Sequence, residues 1–235
     1  MFEEIEMSLT KSSGHTHQEL VKRIYEKNPE IILPPEYALF LKDNLLRMLI
    51  RLARYKFVSK MIKQTDCLLE AGCGSGVGAI FLGQNCRRVI GVDSSELEIG
   101  EAKKINRRDN VSFMCEDIYN FPVQERFDVV VSLDVIEHMD AAAGEKFLAH
   151  LRRYLKPDGM LVLGTPSIYS YEYQGELSKA AHIKLYDQEE LQDVVEKFFL
   201  RTLCFSMNDE MVHTGFPKMA WYYFVLAFYP KEGLQ

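Results

Sequence analysis

The chain has 235 residues, 47% of them hydrophobic and 26% charged, which is enough apolar material for a full core and too much for a disordered or fibrous protein. With 28 Lys+Arg against 34 Asp+Glu, the formal charge of -6 argues against a protein that grips nucleic acid through sequence-independent phosphate contacts. Five cysteines, an odd count without a C-x-x-C pair, argue against a disulfide framework and a zinc knuckle.

The first ten residues lack a basic region followed by an apolar stretch, so no signal peptide is expected and a cytoplasmic location follows. His15 and His17 in Gly14-His15-Thr16-His17 are too closely spaced to argue a metal site, and the reading there is an N-terminal arm. Folded over a pocket, that arm would give Tyr25 and Tyr37 a role. From Leu20 to Lys63 apolar residues recur at three- and four-residue steps, among them Leu45, Leu46, Leu49, Ile50 and Leu52. Residues 1–64 are therefore expected to form a helical cap belonging to the same structural unit as a main domain at 65–235.

After Thr65 short apolar runs alternate with longer amphipathic stretches. The runs are Cys67–Ala71, Arg88–Val92, Val111–Cys115, Val129–Leu133 and Met160–Gly164, a spacing that implies a parallel sheet with helices on both faces. Leu200–Ser206 and the aromatic-rich Tyr222–Tyr229 read as closing strands, for seven in all. The longest nearly apolar run, Met219–Tyr229, is well short of the roughly 20 residues a membrane span needs. No membrane partner is expected.

The first run leads into Glu70-Ala71-Gly72-Cys73-Gly74-Ser75-Gly76-Val77-Gly78 and then an amphipathic segment. Glycines between strand and helix let a ligand lie against bare backbone beside a helix N-terminus. Asp93 comes at a strand tip about 20 residues after the glycines, where a carboxylate can accept both hydroxyls of a ribose. Asp117, after the third run, stands where a purine edge could meet an acid. A dinucleotide enzyme shares the first two features, and Gly74-x-Gly76-x-x-Ala79 fits its looser fingerprint. The third acid decides against it, and so do two segments later in the chain, Arg126-Phe127-Asp128-Val129-Val130 and Leu155-Lys156-Pro157-Asp158-Gly159.

With those segments in order, the sequence resembles the class I S-adenosylmethionine-dependent methyltransferases from Arg54 to Glu196. Gly164-Thr165-Pro166-Ser167 with the later His182 and Tyr186-Asp187-Gln188-Glu189-Glu190-Leu191 is similar to the small-molecule methylases related to quinone-biosynthesis enzymes. The resemblance implies a Rossmann-like, doubly wound α/β sheet, mostly parallel, with an antiparallel C-terminal strand. It implies that Glu70, Gly72, Gly74 and Gly76 cradle the amino-acid part of S-adenosylmethionine, that Asp93 holds the ribose and that Ser94 lies against the adenosine. Asp117 and Ile118 would frame the adenine and Leu133 the sulfonium end, with Asp134 and Glu137 on the loop nearest the methyl group. Arg54 is the candidate cation for the cofactor carboxylate.

An acceptor hydroxyl or protonated amine needs a base, and histidine suits neutral pH. His138 lies just after the fourth strand at the edge where ligands of open α/β sheets bind, and His182 lies beyond the aromatic stretch Tyr169–Tyr173, a candidate lid. His213 is a third candidate, His150 is expected to be structural, and no metal site is expected. Lys184 or Arg54 could receive an anionic acceptor. The expected activity is methyl transfer to a small molecule, at oxygen ahead of nitrogen or carbon, by a monomer or homodimer. The absence of N-P-P-Y or D-P-P-Y after the fourth strand, where Leu133-Asp134-Val135-Ile136 stands, argues against a nucleic-acid substrate. A non-catalytic cofactor-binding regulatory module is the alternative of a different class.

Overall fold

A computed structural model describes residues 17–27, 32–122 and 124–233. The chain divides into two units, Met1–Leu33 and Pro34–Gln235. In the first, helix α1 (His17–Lys27) carries Glu19 in its first turn and a Lys22–Glu26 pair 3.8 Å apart at i,i+4 spacing. His15 lies outside the described residues.

In the second unit, Pro34-Pro35 opens α2 (Pro35–Asp43), with proline at the first turn where its missing N–H costs nothing. Asn44 then caps α3 (Leu45–Met61) by accepting from the Arg47 N–H. The strands come next as β1 (Cys67–Ala71), β2 (Arg88–Asp93), β3 (Val111–Cys115), β4 (Phe127–Leu133) and β5 (Leu155–Pro166), separated by α4 (Val77–Leu82), α5 (Glu96–Ile105) and α6 (Ala141–Leu151). Beyond β5 come a 3-10 turn (Ile168–Tyr173), α7 (Glu176–Ala181), α8 (Gln188–Glu196), β6 (Phe199–Asn208), β7 (Met211–His213) and β8 (Tyr222–Pro230).

All five residues of β1 are buried, as a strand covered on both faces requires. The sheet order is β3-β2-β1-β4-β5-β8-β6-β7. β1 to β5 pair in parallel, while β8 runs antiparallel to both β5 and β6. Eight strands replace the expected seven, because β6 turns at Asp209, at φ 48°, into the three-residue β7. Three residues are too few to give a period-2 signal. The core is split by the sheet into two apolar layers, one around Leu69, Phe127 and Tyr223, the other around Leu68, Ile99 and Phe224. No helix among the described residues is long and apolar enough to cross a membrane.

Candidate active site

The site is assembled at the C-terminal ends of the parallel strands, where the order reverses between β1 and β4. Asp93 ends β2, and its carboxylate ties the neighbouring loops together: Oδ2 accepts from the Gly74 N–H and Oδ1 from the Ser95 N–H, both at 2.9 Å. The β1 loop leaves the strand through Gly72 at φ 77°, where a Cβ would lie 2.3 Å from a methyl of Val135. Glycine takes that left-handed backbone without strain and leaves room for Val135, two residues beyond β4.

A cavity of about 540 Å³ opens over this loop. Of the residues expected at the site, Gly72 and Gly74 line it from β1, Asp93 and Ser94 from β2, Asp117 and Ile118 from β3, and Leu133 and His138 from β4. Glu70, Gly76, Arg54 and His182 stand off the lining. Glu70 is 1% exposed, and neither carboxylate oxygen has a well-formed hydrogen bond. Burial pushes its carboxyl up to about 8, opposed by the neighbouring Tyr55 hydroxyl and reinforced by Asp93.

The helices before β1 supply a wall of which the sequence points only to Tyr37. Glu36 and Tyr37 of α2 and Arg51 and Tyr55 of α3 line the cavity. Arg51 Nη1 is 2.5 Å from Glu36 Oε1, and its guanidinium stacks 5.3 Å from the Phe40 ring centroid. Arg54, one turn further on, is turned the other way: Nη1 donates to Asp134 Oδ2 at 2.5 Å and Cζ lies 3.9 Å over the Tyr222 ring. Arg51, rather than Arg54, is thus the arginine on the cavity wall. The available signal was the i,i+4 pairing of Arg51 with Tyr55 on one helix face.

His138 closes a 3-10 turn, Ile136–His138, and its Nδ1 lies 2.9 Å from the Ala181 carbonyl. A carbonyl only accepts, so Nδ1 carries a proton, which leaves Nε2 as the ring nitrogen that can exchange one with a ligand. The residues after β5 provide this anchor: Ile183 and Lys184 donate their N–H groups to the Glu137 carbonyl at 2.7 and 3.1 Å. His182 sits edge-on to His138 with ring centroids 5.2 Å apart, its Nδ1 2.8 Å from Gln174 Oε1. Burial, then the neighbouring His138, lowers its pKa. Glu137 is buried, accepts from Thr165 Oγ1 at 2.9 Å, and is pushed up to about 8 by burial and then by Asp134. Glu137, His138 and His182 each place one ligand atom within 4.8 Å of the others, a donor set of the kind that holds a divalent cation.

The remaining candidates are engaged elsewhere. His150 Nε2 meets the Ile118 carbonyl at 3.1 Å and the Tyr154 hydroxyl at 2.9 Å, bracing the β3 end. His213 Nε2 lies 2.9 Å from Asn208 Oδ1 on the β6–β7 hairpin, and Lys184 pairs with Glu190 at 2.7 Å.

Fold and cleft together form a Rossmann-like open α/β sheet whose strand-tip acids and glycine loop meet at one cavity on the edge where such sheets bind ligands. Residues 69–163 match the family model described as a methyltransferase domain. The ubiquinone biosynthesis O-methyltransferase of Bradyrhizobium diazoefficiens is 31% identical over 124 residues, covering 49% of this chain and 48% of that protein. A probable S-adenosylmethionine-dependent methyltransferase of Mycolicibacterium smegmatis is 35% identical over 101 residues, covering 43% of this chain and 38% of its own. The chain spans about half the length, or less, of these curated relatives. Among solved structures, a possible histamine N-methyltransferase of Thermotoga maritima shares the fold at TM-score 0.65 and 21% identity, over 88% of this chain and 98% of that one. The N-methyltransferase NodS of Bradyrhizobium japonicum, in complex with S-adenosyl-L-homocysteine, does so at TM-score 0.53 and 20% identity, over 80% and 86%.

Proposed function

We propose that this chain transfers the methyl group of S-adenosylmethionine to a small-molecule acceptor, at oxygen, with His138 as the base. One observation carries the reading: a single cavity is lined by Asp93, Asp117, the β1 glycine loop and His138. The cleft fits the cofactor part by part. Asp93 keeps lone pairs for a ribose beyond its two backbone bonds, and Asp117 with Ile118 flanks the place for a purine. Arg51, on the lining, suits the carboxylate of the amino-acid part, and Glu70, off the lining and buried beside Tyr55, is the acid left for its ammonium. When bound, the cofactor supplies an already activated methyl whose S–C bond breaks as the acceptor–carbon bond forms. The protein's part is to hold the partners in line and to take the acceptor's proton at His138 Nε2. The O-methyltransferase names among the relatives favour oxygen over nitrogen or carbon.

Calorimetry with S-adenosylhomocysteine tests the cofactor half. Asp93→Ala should weaken binding by about 1.5 to 3 kcal/mol, the worth of a charged hydrogen bond. Unchanged affinity in that variant refutes the assignment. A second reading of the base is favoured by the 4.8 Å convergence of Glu137, His138 and His182: these side chains would hold a divalent cation that polarises the acceptor oxygen. Turnover that survives prolonged chelation removes that reading.

A further inference from the structure

Asp134 is the first residue beyond β4 and one of four non-glycine residues at positive φ among those described, at 57°. That conformation costs an L-residue energy, and such strain gathers where a side chain must be aimed. Two contacts hold it. The Asp134 N–H donates to the Gly164 carbonyl at 3.0 Å, and Arg54 Nη1 donates to Oδ2 at 2.5 Å. Arg54 is in turn flattened onto the buried Tyr222 ring, 3.9 Å away, so the guanidinium has little freedom to leave. Asp134 lines the cavity, and its Oδ1 makes no hydrogen bond to the described residues that would occupy it.

The sheet order gives this carboxylate a location relative to the ligand. A nucleoside held at the β3 and β2 tips and continued over the β1 loop points its far end toward the next strand tip, which is β4. Val135 packs against Gly72, so the β4 tip and the β1 loop are in direct contact. We propose that Asp134 is a catalytic residue whose free carboxylate oxygen hydrogen-bonds the acceptor's hydroxyl beside the methyl-transfer point, and that Arg54 is the positioning residue that aims it. Arg54 thereby acts on the acceptor side of the site, and Asp134 orients the nucleophile while the base removes the proton. This role rests on the cofactor reading proposed for the cleft.

Two cofactor analogues separate the two readings without knowledge of the acceptor. Sinefungin carries an ammonium group where the methylsulfonium would be, whereas S-adenosylhomocysteine has nothing there. By calorimetry the wild-type protein should bind sinefungin roughly tenfold or more tighter, the worth of one charge-assisted hydrogen bond. Asp134→Asn should lose most of that preference while keeping its affinity for S-adenosylhomocysteine. Arg54→Gln should lose it in the same direction, and Arg54→Lys should restore most of it. A preference that persists in Asp134→Asn overturns the proposal, as does an equal loss of both ligands in that variant. A wild-type protein that binds neither analogue overturns the cofactor reading, and the role of Asp134 with it. Thermal unfolding identifies an Arg54 variant that has lost its fold, in which case Asp134→Asn alone decides.

Discussion

Replacing Glu70 with Gln isolates what it costs to bury a carboxyl group in the first strand. Glu70 is 1% exposed, and its carboxyl is raised from 4.5 to about 8, with burial the largest cause. The folded protein therefore holds a proton that the unfolded chain releases above about pH 4.5. Stability tied to that proton is fully present below pH 4.5 and is lost as the pH climbs to about 8, where the cost levels off. At 1.36 kcal/mol per unit the interval corresponds to about 5 kcal/mol, an upper bound for a site that can relax. Gln has nearly the same shape and does not titrate. Urea unfolding at pH 5 should find the two proteins within about 1 kcal/mol, and at pH 8.5 the Gln variant should be the more stable by about 2 to 5 kcal/mol. Glu137 titrates in both proteins and cancels in the difference. A difference that does not change with pH refutes the reasoning. The same proton should appear in ligand binding. If the ammonium of S-adenosylhomocysteine settles beside Glu70, binding near pH 7.5 releases a proton, and the calorimetric enthalpy depends on the buffer's ionisation heat in wild type but much less in Glu70→Gln.

Gly72→Ala should cost about 1 to 2 kcal/mol for left-handed backbone and about 1 to 3 kcal/mol for the collision with Val135, lowering Tm by about 5 to 15 °C. Adding Val135→Ala should relieve only the collision, and full recovery in the double variant would refute the backbone argument. Arg51→Ala should weaken S-adenosylhomocysteine about ten- to a hundredfold while leaving 5′-methylthioadenosine, which lacks the amino-acid part, unaffected. Equal losses for the two ligands would place Arg51 elsewhere. His138→Gln should lower kcat by about 10² to 10⁴ with little change in cofactor KM. A variant of undiminished kcat would end its role as base.

The acids and glycines of the cleft are legible in the sequence because strand tips are local features. Asp93 and Asp117 each come just after a short apolar run, and period and spacing place them without knowledge of the packing. The wall formed by Glu36, Tyr37, Arg51 and Tyr55 is not legible in that way, since the helical pattern of residues 35–61 does not say which face meets the cleft. Arg54 illustrates the ambiguity: three residues from Arg51, it lies only about 60° away around the helix axis, yet its guanidinium stays behind the lining on Asp134 and Tyr222 while Arg51 lines the cavity. The convergence of His182 on Glu137 and His138 depends on a return of the chain after β5, fixed by the Ile183 and Lys184 bonds to Glu137, which no sequence period announces. The five parallel strands lie where the apolar runs put them, whereas β7 owes its place to pairing with β6 alone.

β8 comes after β6 and β7 in the chain yet lies between β5 and β6 in the sheet. The β6–β7 hairpin consequently has nothing to pair with until residues 222–230 are in place, because its route into the sheet passes through them. During synthesis the five parallel strands can consolidate while the hairpin waits, with Phe199 and Met207, buried in the finished fold, still open to water. The nascent protein is therefore most exposed to misassembly in the interval between the emergence of β6 and that of Pro230, and a chaperone would find its target in that hairpin rather than in the parallel half.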